Sequence, residues 1–264
     1  MKIIVCIKQV PDTSEVEIDP VTNTLVRVGI PVIMNPDDKA GIELALTIRD
    51  AVEGCTVSVI TMGPPHADMV LLEALAMGCD EAYHLSGREF GGSDTLATSS
   101  ALAAALKKIG YDVIVTGRQA IDGDTAQVGP QIAEHLEIPQ VSYVEKIEYE
   151  YENTFLVNRR YEDRIHKLRI NTPCLFTAIA QASEPRFMTV SGVINASKKT
   201  ITKMGFSDLA DVLDIATVGL KGSPTNVVRS FTKEPKGQGL LLDGLTADQA
   251  VSAIMSRLHE SHII

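Results

Sequence analysis

The stretch YDVIVTGRQAIDGDTAQVGPQ, residues 111–131, decides how the rest of the chain is read. Its apolar run, Tyr111 to Thr116, predicts a strand that stops at Gly117; acids and glycines follow, and a helix is expected from about Asp124 to Leu136. In open parallel sheets ligands sit beyond the carboxyl ends of the strands, which is where this loop falls. Gly117 and Gly123 permit close backbone approach, Asp124 or Thr125 is placed to cap the helix, and the first turn offers N–H groups to an anion. Thr125 adds a hydroxyl and Gln127 an amide, whereas Asp122 and Asp124 suit a ribose or a backbone cap better than a phosphate. The stretch is neither G-x-G-x-x-G nor a Walker loop, which disfavours a hydride-transfer enzyme built on the usual fingerprint. Spacing alone leaves two readings open, an anion site and a plain turn.

Outward from that loop, short apolar runs alternate with helical patterns. Strands are expected at Lys2 to Lys8, Thr56 to Met62, Ala82 to Leu85 and Asp112 to Thr116. Helices are expected at Pro36 to Val52, Asp68 to Met77 and Asp94 to Lys108, the last capped by Ser93 or Asp94. Connections too long for hairpins make the sheet parallel, with helices on both faces. After Pro139 the rhythm changes to strands at Val141 to Glu148, Thr154 to Asn158, His166 to Ile170 and Cys174 to Ile179, with an antiparallel pair around Tyr151 to Asp163. From Ser183 the patterning weakens until a helix at about Thr246 to His259. We divide the chain into a nucleotide-binding α/β domain, 1–182, and a C-terminal arm, 183–264, that needs a partner subunit to lie on.

Composition excludes several classes. At 264 residues, 45% hydrophobic and 22% charged, the chain is an ordinary globular protein. No apolar run reaches the roughly 20 residues of a membrane span, and MKIIVCIK is too short for a signal peptide, so a cytoplasmic location is expected. Residues 1–150 carry 10 Lys and Arg against 23 Asp and Glu, and residues 151–264 carry 14 against 11; a net charge of −10 argues against nucleic acid. Cys6, Cys55, Cys79 and Cys174 lack metal or redox spacing and read as reduced core residues, and the six histidines lie apart, so no metal site is expected. Phe90-Gly91-Gly92-Ser93-Asp94-Thr95 reads either as a helix cap or as a second nucleotide-facing loop, and Asn35 either as a helix start or as a ligand contact.

Residues 117–129 closely resemble the nucleotide-binding signature of the electron transfer flavoprotein β-subunit family. The likeness extends through Lys8-Gln9, Met34-Asn35-Pro36, Thr61-Met62-Gly63-Pro64, residues 74–78 and Glu184-Pro185-Arg186, nearly the whole chain. The resemblance implies an α/β fold with an open, mainly parallel sheet of Rossmann-like topology, an extended C-terminal arm, and a heterodimer with an α subunit that carries FAD. In many relatives the β subunit holds AMP; in an electron-bifurcating subset it holds a second FAD that takes electrons from NADH and splits them between a high-potential flavin and ferredoxin or flavodoxin. Residues 8–13 and 90–95 look more like that subset, which implies FAD here, in the service of an acyl-CoA dehydrogenase. By motif position, Cys6, Asn35 and Met62 border the adenine or ribose. Gly123, Asp124, Thr125, Gln127 and Val128 face the phosphates, and Asp122 and Ala126 complete the cofactor-binding stretch; Val128 stands where some AMP-holding relatives place a hydroxyl. Arg186 to Ala196 matches the family's partner-recognition loop, with Val190, where a leucine often protrudes, and Ile194 as partner-binding residues. No residue is implied as a catalytic acid or base.

Overall fold

The computed structural model describes residues 1–12, 31–225, 237, 239 and 241–264. They fall into two compact units, residues 1–12 with 31–225, and residues 237, 239 and 241–264. In the first unit the elements run β1 (Lys2–Cys6), β2 (Gln9–Pro11), β3 (Val32–Met34), α1 (Pro36–Ala51), β4 (Thr56–Met62), α2 (Asp68–Met77), β5 (Glu81–Leu85), α3 (Thr95–Ile109) and β6 (Val113–Gly117). They continue as α4 (Val128–His135), β7 (Gln140–Tyr149), β8 (Thr154–Tyr161), β9 (Arg164–Asn171), β10 (Cys174–Ala178), α5 (Val190–Ala196) and β11 (Ile201–Met204).

One sheet carries the order β11-β5-β4-β1-β6-β10-β7-β8-β9. All neighbours from β11 to β7 are parallel, and β8 and β9 extend the edge as an antiparallel hairpin. The strand period of two sorts the side chains onto two faces. Ile3, Val5, Val113, Val115 and Phe176 pack with α1 and α2, whereas Ile4, Cys6, Ile60, Ile114 and Leu175 pack with α3 and α4. Both faces are therefore covered, which is why the central strands are buried along nearly their whole length. All four cysteines are buried and free, as the sequence implied.

The chain leaves β1 for β4 and β5 on one side and then returns to β6 on the other side of β1. That reversal opens a crevice beyond the ends of β1 and β6, the place where such sheets bind ligands. Residues 183–225 are more regular than their sequence suggested: α5 packs on α2, and β11 joins the sheet beside β5. The second unit contains α6 (Ala247–Glu260), opened by a capping box between Thr246 and Gln249. No helix among the described residues is long and apolar enough to cross a membrane.

Candidate functional site

The start of α1 lies against both strand ends of the crevice. Asp38 is buried, and its carboxylate accepts the N–H of Lys8 after β1 (2.8 Å) and the N–H of Gly117 at the end of β6 (2.9 Å). Burial, with the nearby charge of Asp37, pushes its pKa up to about 7 against the lowering bonds from Asn35, Lys8 and Gly117. Asp37 accepts the N–H of Ala180 (2.8 Å). Asn35 precedes the helix but does not cap it with its side chain. Fully buried, its amide donates to the Gln119 carbonyl (2.9 Å) and accepts from the Ile121 N–H (3.2 Å), so its role is to hold the signature loop.

That loop is fastened at both ends. A Cβ on Gly117 would collide with the Asp38 carboxylate, and one on Gly129 would stand 2.5 Å from Thr116 Oγ1 and 2.8 Å from Thr177 Cγ2. Lys8 Nζ pairs with both oxygens of Asp122 (2.7 and 2.8 Å), and the Gln119 amide bonds the Asp124 carboxylate. The N–H groups of Gly123 and Asp124 fold back onto the Ala120 carbonyl (3.2 and 2.8 Å).

The middle corrects two expectations. The helix begins at Val128 and not near Asp124, because Asp124 (φ 55°) and Ala126 (φ 52°) are left-handed and cannot join a right-handed helix. Neither Asp124 nor Thr125 caps it; Gln127 occupies that position without a side-chain cap bond. Among the described residues no atom outside its chain neighbours lies within 4 Å of a Cβ built on Gly123, so its open side leaves room for a ligand to approach the backbone.

Among the described residues no acceptor meets the N–H groups of Thr125, Ala126, Gln127, Val128 and Gly129. A left-handed residue followed by a right-handed one, here Ala126 and Gln127 (φ −106°, ψ −34°), turns successive N–H groups into one concavity. Such a concavity, continued by the first turn of α4, fits a phosphate or pyrophosphate. Gln127 Oε1 accepts the Thr95 hydroxyl (2.9 Å), leaving the amide nitrogen free to donate. The same bond brings the 90–95 loop to the site, although Asp94 also caps α3 through the N–H groups of Leu96 and Ala97.

Cys6 and Met62, ending β1 and β4, share one apolar cluster beside the crevice. Burial, with the Asp38 carboxylate nearby, pushes the Cys6 thiol far up, so it stays neutral within that cluster. Sequence reasoning missed a buried group on the far side of β4 from Cys6. His84 in β5 contacts Asp68 Oδ1 (2.6 Å) and Lys203 Nζ (2.9 Å) through Nδ1, and its Nε2 donates to the Gly63 carbonyl (3.0 Å). With both ring nitrogens engaged, the ring braces the Thr61–Pro64 segment against Asp68 and Lys203. These partners lie 16, 21 and 119 residues from His84, so only the strand order unites them. Away from the crevice, Val190 (80% exposed) and Ile194 (51%) stand out from α5.

A model of the electron transfer flavoprotein domain matches residues 22–209. The chain is 53% identical to the electron transfer flavoprotein subunit beta of Clostridium acetobutylicum, over the full length of both chains. It is 48% identical to the caffeyl-CoA reductase-Etf complex subunit CarD of Acetobacterium woodii and 46% identical to the acryloyl-CoA reductase electron transfer subunit gamma of Anaerotignum propionicum, again over all of each chain. Identity of this order over the whole length, together with the signature loop at the crevice, means that the chain belongs to the electron transfer flavoprotein family as a β subunit.

Proposed function

We propose that the chain pairs with an α subunit, holds FAD in the crevice, takes electrons from NADH, and passes them to the α-subunit FAD and to ferredoxin or flavodoxin, in the service of an acyl-CoA dehydrogenase. The observation that carries the nucleotide part is the row of N–H groups from Thr125 to Gly129 that meet no acceptor among the described residues. A pyrophosphate there gains charge-assisted hydrogen bonds without any rearrangement of the loop. Lys8 offsets Asp122 and the Gln119 amide engages Asp124, so the two acids of the loop are occupied when the anion arrives. A bound flavin supplies the redox chemistry, accepting an electron pair and releasing electrons singly. The chain binds it, orients it and walls it with Cys6 and Met62.

Two relatives carry names of CoA-thioester reductases, which supports an acyl-CoA dehydrogenase as partner. Val251, Ile254 and Met255 form an exposed apolar stripe on α6, which supports a C-terminal arm that lies on the α subunit, although residues 183–225 of the expected arm pack on the first unit instead. In the alternative reading the cradle holds AMP and all redox work belongs to the α subunit. Acid release and quantification of the nucleotides decide between them. Two FAD per αβ pair, with bleaching by NADH, is the expected result; one FAD and one AMP would overturn the bifurcating assignment.

A further inference from the structure

Between Arg186 and Lys199 the chain shows apolar side chains to solvent, with Phe187 91% exposed and Val190 80%. A loose loop of this composition would fold its side chains back onto the body. This one is fastened at three points. Lys199 Nζ donates to the carbonyls of Cys79 (2.7 Å) and Asp80 (3.1 Å). Gly192 lies so close to α2 that a Cβ would stand 2.5 Å from the Ala76 carbonyl oxygen.

The third point is the strongest. Glu43 on α1 is only 8% exposed, and its carboxylate takes four bonds from one residue: the Arg186 N–H (2.9 Å), Nε (2.9 and 3.1 Å) and Nη2 (2.9 Å). Arg186 Nη2 also reaches Asp50 (2.9 Å). Hydrogen bonding to Glu43, with the two acids' charges, raises the guanidinium pKa further despite burial. A carboxylate gripping both the main chain and the fork of an arginine fixes the direction in which the next residue leaves, and the next residue is Phe187.

We propose that Arg186, held by Glu43, is a positioning residue for partner docking: it presets the angle of the apolar tip, so that Phe187 and Val190 enter an apolar pocket on a redox partner protein as a preformed anchor. The inference rests on the reading of residues 186–196 as partner-facing. Ordering the tip before encounter removes an entropy cost that a free loop would meet on docking. Lysine cannot reproduce the fork, and glutamine at position 43 keeps one carbonyl acceptor but loses the charge.

The test uses the intact αβ pair and an acyl-CoA dehydrogenase that the wild-type pair reduces. Arg186→Lys and Glu43→Gln are each expected to raise KM for the dehydrogenase about three- to tenfold, leaving kcat and nucleotide content unchanged. Amide exchange of residues 187–196 should quicken in both. The double variant should be no worse than the poorer single one, since both break one clamp. Val190→Ala is the control on the underlying reading. If it raises KM while both clamp variants match wild type, the positioning role is overturned and the docking reading stands. If all three leave KM unchanged, the segment does not dock and both ideas fall. Glu43→Gln, the milder change, decides the question should Arg186→Lys not assemble.

Discussion

The signature loop and the tip that follows Arg186 are built alike and expose opposite things. Each is a short segment pinned at its ends by buried carboxylates or by glycines with no room for a Cβ: Asp38, Gly117 and Gly129 for the loop, Glu43 and Gly192 for the tip. Between its pins the loop leaves N–H groups that meet no acceptor among the described residues, whereas the tip leaves apolar side chains in water. Unmet N–H groups are complementary to an anion, and unmet apolar area to another protein's surface. Both pinning carboxylates sit on α1, so one helix orders the two exposed regions.

The comparison breaks most sharply at the pins. Gly117→Ala drives a methyl into the carboxylate of Asp38, and Gly129→Ala drives one against Thr116 and Thr177. Each should cost about 3 kcal/mol, the upper range for overpacking, read from denaturant midpoints. Gly123→Ala, in the open middle, should stay within about 0.5 kcal/mol. A large loss of stability at Gly123, or none at Gly117, would mean that the loop is not held at its ends.

Next comes Asp38→Asn. Both carboxylate oxygens accept N–H groups, so an asparagine must turn its own NH2 toward one of them, at a cost of about 1–3 kcal/mol. The pH dependence has a definite sign. Burial, first, and Asp37 lift the carboxyl from 3.8 to about 7, so the folded state binds the proton more tightly than the unfolded chain. This group's contribution to stability is therefore greatest below about pH 4 and is lost as pH rises toward 7. Asparagine does not titrate there. The stability advantage of wild type over the variant should shrink between pH 4.5 and 7.5; a constant or growing gap would show that Asp38 is not a strained, buried acid.

These pins show where sequence stopped being informative. The sheet was legible because apolar runs of strand length recur between helical patterns, and Thr56–Met62 and Asp68–Met77 have the bounds their residues predict. The ends of the signature loop were visible as glycines, but their cause was not, because the crowding atoms come from Asp38, Thr116 and Thr177 across the fold. The helix start was misplaced for the same reason: bonds from Asn35 and Gln119 shape the loop before Val128, and helix propensity does not contain them. Strand β11 is a short edge with two exposed residues, too polar to register as a strand. The exposure of Val190 followed from the motif, while the grip of Glu43 on Arg186 joins residues 143 apart.

At the tip, the expected order follows exposure. Phe187→Ala should weaken docking to the dehydrogenase more than Val190→Ala, and Val190→Ala more than Ile194→Ala, with Val190→Ala at about 1 kcal/mol, roughly fivefold in KM. Fold stability and nucleotide content should not change, since these side chains touch little of their own chain. Loss of stability in Val190→Ala would show that it packs inward.

A comparably modest effect should come from inside the cradle, and it separates backbone from side-chain recognition there. Thr125 has one hydroxyl to offer an anion, whereas its N–H and those of the next four residues persist in any side-chain variant. Thr125→Ala should therefore weaken nucleotide retention by about 0.5–1.5 kcal/mol, the worth of one hydrogen bond, with no change in the denaturant midpoint of the nucleotide-free chain. Gly123→Val should weaken retention more, because its side chain would fill the open space beside the N–H row rather than delete one donor. Equilibrium dialysis of AMP and FAD against both variants measures the two effects. If Thr125→Ala proved the more damaging, the side chain and not the backbone would be the main phosphate ligand, and the contrast between a loop that offers N–H groups and a tip that offers side chains would fail on the loop's side.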